Sequence, residues 1–225
     1  MTRTPDGLTR RTLLGLLAGA AATAVASPWP LRLPTANAQV PPIDEALIDP
    51  TLEAFADTLI PGEKRFAGDR AVAGAARGAG AVHAGAVDLL RFPPAGVAPA
   101  IAAIAAGLSA RAVAFAVAEG IALDPTVAPW VSLDFDERTR LAVRLLDGGD
   151  PDRALWEAVG ALVFLGYHTA GHLPTAQAVR DGHPGLAGIG FPAPGADGLW
   201  RFPAHSYRRP LARPHPATVG AGHPG

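Results

Sequence analysis

Residues 150–166 read DPDRALWEAVGALVFLG, and this stretch decides the fold class. Leu155, Val159, Leu162, Val163 and Gly166 recur at i, i+4, i+7, i+8 and i+11, which gathers apolar side chains on one face of an α-helix. Asp150-Pro151 precedes them, so the pattern predicts a helix opening there, with Asp150 as cap and Pro151 in the first position, where a missing N–H does no harm. Upstream, Asp134 to Leu146 predicts another helix. Leu141, Leu145, Leu146 and, weakly, Val143 make its apolar side, Glu137, Arg138, Arg140 and Arg144 can turn outward, and Asp147-Gly148-Gly149 stops it. Val97 to Leu123 is Ala-rich, with Arg111 and Glu119 its only charges before Asp124. A charge as central as Arg111 is costly in lipid, so this run is expected to be a buried or groove-lining helix, not a membrane span.

Further upstream, Ile43, Leu47, Leu52, Phe55, Ala56, Leu59 and Ile60 keep helical spacing with an interruption at Asp49-Pro50. Pro50 is expected in a first turn capped by Asp49, and Pro61-Gly62 ends the helix. Residues 63–80 read as a flexible loop, Ala81 to Leu90 as a short helical piece, and Phe92-Pro93-Pro94 as a break. No alternating strand pattern or long repeat occurs. The expectation is a mainly α fold, a small helical bundle over residues 39–181. Residues 182–213 are rich in Pro, Gly and aromatics and are expected to form an extended arm lying on the helical domain or on a partner. Residues 214–225 have nothing to bury and are expected to be a disordered tail.

The 225 residues are 49% hydrophobic and 17% charged, enough apolar material for a packed core. The formal net charge is −1, without the basic surplus that nucleic-acid binding requires. Cysteine is absent, which excludes a cysteine-ligated iron–sulfur cluster and a thioether-linked haem.

Residues 8–14 read Leu-Thr-Arg-Arg-Thr-Leu-Leu, and the pair Arg10-Arg11 before an apolar run fits a twin-arginine export signal over residues 1–38. Leu13 to Ala26 is too short to span a bilayer. Ala36-Asn37-Ala38 is a cleavage site of the A-x-A kind that would leave Gln39 first, and Ala24-Val25-Ala26 is a rival. Such a chain is expected to leave the cytoplasm already folded, through the twin-arginine translocase, for the periplasm, the cell envelope or the medium.

Chemistry-bearing motifs are few. His168 and His172 are four apart and would share a face of a continuous helix, as metal-ligating pairs do, with Asp181 and His183 nearby. Gly171 suggests that the helix is ending there, and a helix-end role suits the same histidines. No nucleophile elbow, dinucleotide fingerprint or phosphate loop is found. No catalytic residue and no cofactor of this chain's own is expected.

Leu52-Glu53-Ala54-Phe55-Ala56-Asp57-Thr58-Leu59-Ile60-Pro61-Gly62, soon after a twin-arginine signal, resembles the opening of the gluconate 2-dehydrogenase subunit 3 family. Gly190-Phe191-Pro192 and Leu199-Trp200-Arg201-Phe202-Pro203 resemble the C-terminal part of related small subunits. The resemblance implies a non-catalytic escort for a flavoprotein large subunit of the glucose–methanol–choline type, with FAD in that partner and any membrane association indirect. On that reading Trp156, Trp200, Phe202 and Tyr207 are expected at the partner interface, since aromatics anchor interfaces. A cell-envelope binding or structural protein unrelated to redox, and a histidine-based metal enzyme, are the alternatives.

Overall fold

The computed structural model describes residues 43–196. Asp44 opens α1 (Glu45–Leu59) by accepting the N–H of Ala46 at 3.0 Å. The expected start at Pro50 is therefore corrected: the helix begins a turn earlier and Pro50 lies inside it. Proline there removes only the N–H that would reach Ala46, and burial of Ile48, Leu52, Phe55 and Ala56 outweighs that loss. Asp49 is no cap, and pairs with Arg91 at the end of α2 (Ala86–Arg91). A 3-10 turn, Pro93–Ala95, carries the prolines of the expected break, and a second, Ala98–Ala100, leads into α3 (Ile101–Glu119). Then come α4 (Pro129–Ser132), α5 (Phe135–Leu145), α6 (Arg153–Thr169), α7 (Thr175–Arg180) and α8 (Pro184–Gly188). Among the described residues there is no strand, so the fold is mainly α.

The central element is α1, which packs on α2, α3, α4, α5 and α6. Its Phe55 meets Trp130 edge to face at 5.5 Å between ring centres, and both are fully buried. Against α2 lies α6, and a side chain at Gly166 would come within 2.9 Å of the Ala86 Cα, so only glycine permits that approach. The expected core face of α6 is observed: Leu155, Val159, Val163 and Gly166 are buried. Its start differs from expectation. The helix begins after Asp152: the Asp150 carboxylate accepts the N–H of Asp152 at 2.8 Å and closes a turn ahead of the helix, and the Asp150 and Asp152 carboxylates both accept from Arg111 of α3 at 2.9 Å.

By length and composition α3 could cross a membrane, yet 44% of its apolar window is buried in the chain. Ile104, Leu108, Ala112 and Phe115 face the core. Glu119 at its end binds Arg140 and Arg144 of α5, whose guanidinium groups lie over the Phe115 ring at 5.4 and 4.8 Å. A capping box joins Asp134 and Glu137 at the start of α5, as the acidic cluster there suggests.

Arg138 departs most from expectation. Its side chain is not on the outer face of α5 but 2% exposed. It donates hydrogen bonds of 2.7–3.1 Å to the carbonyls of Trp130, Val131 and Leu133, and to those of Arg70 and Ala71 in the segment joining α1 to α2. That segment, read as a flexible loop, is tied along its length. Asp57 of α1 accepts from the N–H groups of Gly62 and Ala73, Asp69 accepts from Val72, and Arg65 bridges Asp69 to Glu53 of α1. At Gly62 an added Cβ would lie 2.4 Å from the Gly80 nitrogen, so the two ends of the loop cross in backbone contact.

A second apolar cluster, Ala170, Ala178 and Leu186 with Leu173, Val179 and Phe191 against it, carries the packing beyond residue 181. The stretch from Gly182, expected to be extended throughout, includes the short helix α8.

Arg138→Met should lower unfolding stability by about 3–5 kcal/mol in urea titration, because the carbonyls it serves would be buried without donors. Arg140→Met, at an exposed ion pair, should change stability by less than about 1 kcal/mol.

Candidate functional site

His168 and His172 do not share a helix face, because the helix ends between them, close to where Gly171 suggested. The last turn of α6 holds His168, whose exposed ring stacks on Phe164 at 6.4 Å and meets Tyr167 edge-on at 5.1 Å. The helix then ends at Ala170, which takes a left-handed conformation (φ 50°) and turns the chain away. His172 therefore leaves the helical face and lies against Gly85, where an added Cβ would be 2.6 Å from its Nε2.

The structure gives His172 a different neighbour. His183, placed by the turn between α7 and α8, has its ring centre 6.5 Å from that of His172. His183 is buried, and its Nε2 lies 3.0 Å from the Ala84 carbonyl. A carbonyl only accepts, so the His183 Nε2 donates. The Nδ1 of His183 and that of His172 are buried without a hydrogen-bond partner. Burial pulls His172 below the ordinary histidine value; the Asp88 carboxylate opposes this, and His183 adds to it. Among the described residues, no group of three or more His, Cys, Asp or Glu could hold a metal ion. The arrangement is two imidazoles joining the turn before α2 to the segment after α6.

Sequence spacing did not join this pair, because eleven positions bring two residues to one face only on a continuous helix, and here two turns and a short helix lie between His172 and His183. The polar set around the α1–α2 loop was missed for a similar reason. Burial pushes the Asp57 carboxyl above the usual aspartate value, against the pull of the Ala73 and Gly62 N–H groups and the Arg138 charge. Asp69 is also raised by burial, but its bonds from Arg65 and Val72 overcome this and hold it below the usual value. These groups bind backbone, which accounts for the ADTLIPG stretch at residues 56–62: Asp57 closes the Pro61-Gly62 turn.

Trp156, expected at a partner interface, is 1% exposed and belongs to the core, against Gly107 of α3. It is corrected to a packing residue, because its indole projects from α6 into the core against α3. Trp200, Phe202 and Tyr207, the signal residues Arg10 and Arg11, and the cleavage residues Ala36 and Ala38 lie outside the described residues. Large apolar side chains do stand in solvent elsewhere: Val113 and Val117 on α3, Val143 on α5, Phe164 and Leu165 on α6, and Ile189 after α8.

Residues 47–225 match the model of a family of unknown function, DUF5987. The chain belongs to this family. No curated protein and no solved structure matches it. The DUF5987 match begins inside α1 and takes in the helical domain together with residues 197–225.

The lowered His172 makes a pH prediction. Its neutral form favours the fold, so that contribution is complete above pH 6.5 and is lost as pH falls from 6.5 toward the lowered folded value. Urea midpoints taken between pH 7.5 and 5 should fall less steeply in His172→Gln than in the parent chain.

Proposed function

We propose that this chain is a non-catalytic escort subunit, which binds a flavin-dependent oxidoreductase of the glucose–methanol–choline type and accompanies it, folded, through the twin-arginine translocase. The observation that carries this reading is the outer face of α3. Ala102, Ala103, Ala110, Val113, Ala114 and Val117 are all exposed there, and Val117 is 79% exposed. The two charges of the helix are engaged elsewhere, Arg111 with Asp150 and Asp152, and Glu119 with Arg140 and Arg144. A long helix face without a free charge shares one property of an interface core, the depletion of charged residues. Alanine lets a partner backbone approach closely, and the two valines supply the area to bury.

Support also comes from the sequence. The paired arginines and the A-x-A site supply the export signal, and the partner would hold the FAD. On this reading the product resides in the periplasm, the cell envelope or the medium, and reaches a membrane only through its partner.

Affinity purification of the tagged chain from its native host should bring down a larger, yellow, flavin-containing polypeptide. Val113→Glu with Val117→Glu should reduce its recovery by about tenfold or more, since each places a charge in a desolvated contact, while the far-UV spectrum of the chain stays unchanged. Arg10→Lys with Arg11→Lys should retain both polypeptides in the cytoplasm. A colourless chain recovered alone from the native host would overturn the reading.

A further inference from the structure

We infer that the chain beyond Ala196 folds back on its own domain, where Trp200, Phe202 and Tyr207 cover the Phe164–Leu165 face of α6. This is independent of the escort reading, which uses the outer face of α3.

The surface is apolar, open and formed late on α6. Phe164 is 44% and Leu165 49% exposed, and the His168 ring extends the face one turn further by stacking on Phe164. Ile189, just after α8, is exposed as well. Large apolar side chains gathered in this way mark a surface that something covers.

The point at which the described chain ends selects the occupant. Helix α8 is pressed onto the end of α6, and an added Cβ at Gly185 would lie 1.7 Å from the Tyr167 carbonyl oxygen. The chain stays there through Phe191, whose N–H donates to the Leu186 carbonyl at 2.9 Å and whose ring packs on the cluster of Ala170, Ala178 and Leu186. Thus Phe191 is anchored to a cluster that includes Ala170, just past the end of α6, while α8 touches Tyr167, only two and three residues from Leu165 and Phe164. Trp200 follows Phe191 by nine residues, and nine residues reach up to about 30 Å when extended. Pro192 and Pro194 lie in that lead and favour an extended course. Residues 197–213 therefore start within reach of the open face and carry side chains of the type it lacks. Tethering adds to this, because a short linker holds its segment at an effective concentration on the order of millimolar, which a free occupant must outcompete.

The absence of cysteine makes the test clean. In the full chain, Leu165→Cys is combined in turn with Trp200→Cys, Phe202→Cys and Tyr207→Cys, and the same three are combined with Val117→Cys as controls. Under mild oxidation at low protein concentration, at least one Leu165 pair should close an intrachain disulfide about tenfold or more faster than its Val117 control. Equal rates in both series, no closure in the Leu165 series, or bonds formed between two chains would overturn the inference. A second readout uses the fluorescence difference between the parent chain and Trp200→Phe, which isolates the Trp200 emission. That emission should be blue-shifted and should move to the red in Phe164→Glu with Leu165→Glu, both of which alter exposed positions. A red emission that the double variant leaves unmoved would equally overturn it.

Discussion

The guanidinium of Arg138 gathers five backbone carbonyls from two irregular segments and sets them against α5. Both segments lack a ladder of their own: the loop between α1 and α2 has no regular structure at Arg70 and Ala71, and α4 is a single turn. Buried carbonyls need donors, and a planar cation with several N–H groups serves them from one point. The N–H groups of the same loop go to carboxylates, those of Gly62 and Ala73 to Asp57 and that of Val72 to Asp69. The loop is held with its acceptors on an arginine and its donors on aspartates, and the charges of Asp57 and Asp69 reduce the cost of burying the cation.

This clasp orders what surrounds it. It fixes the turn that presents Trp130 to Phe55, and so the seat of α1 among its neighbours. It also brings the loop back to Ala81, whose N–H donates to the Ile60 carbonyl at 2.9 Å, and this sets the approach to α2. Packed on α2, α6 turns at Ala170, and the descending chain brings His172 and His183 to the turn before α2. The histidine pair thus follows from two close backbone contacts, at Gly62 and Gly166, and from the seat of the His172 ring against Gly85.

Electrostatics divide the surface of α3 from its core in an unusual way. An Ala-rich helix with two charges would commonly expose those charges to water. Here Arg111 is turned to the start of α6 and Glu119 to α5, so that the ion pairs orient the helix and leave alanine and valine outside. Partly exposed pairs of this kind contribute little to stability, and their value lies in fixing direction. The escort reading and the arm reading rest on the two apolar faces that remain, one on α3 and one on α6.

The helices themselves were legible in the sequence. Apolar spacing located α6 and its core face, the run from Asp134 to Leu146 located α5, and Pro61-Gly62 lies where α1 ends, because these are local properties of periodicity and capping. Only tertiary structure decided which polar residues face inward. Arg138 looks like any outward arginine on α5 until the loop at residues 70–71 arrives to be bound, and nothing local shows that Asp150, which holds the N–H of Asp152, also receives Arg111. His172 and His183 become neighbours only after two turns and a short helix. A helical pattern records which residues share a face of one element; which face meets which loop is set by contacts between residues far apart in the chain, and those leave no period in the sequence.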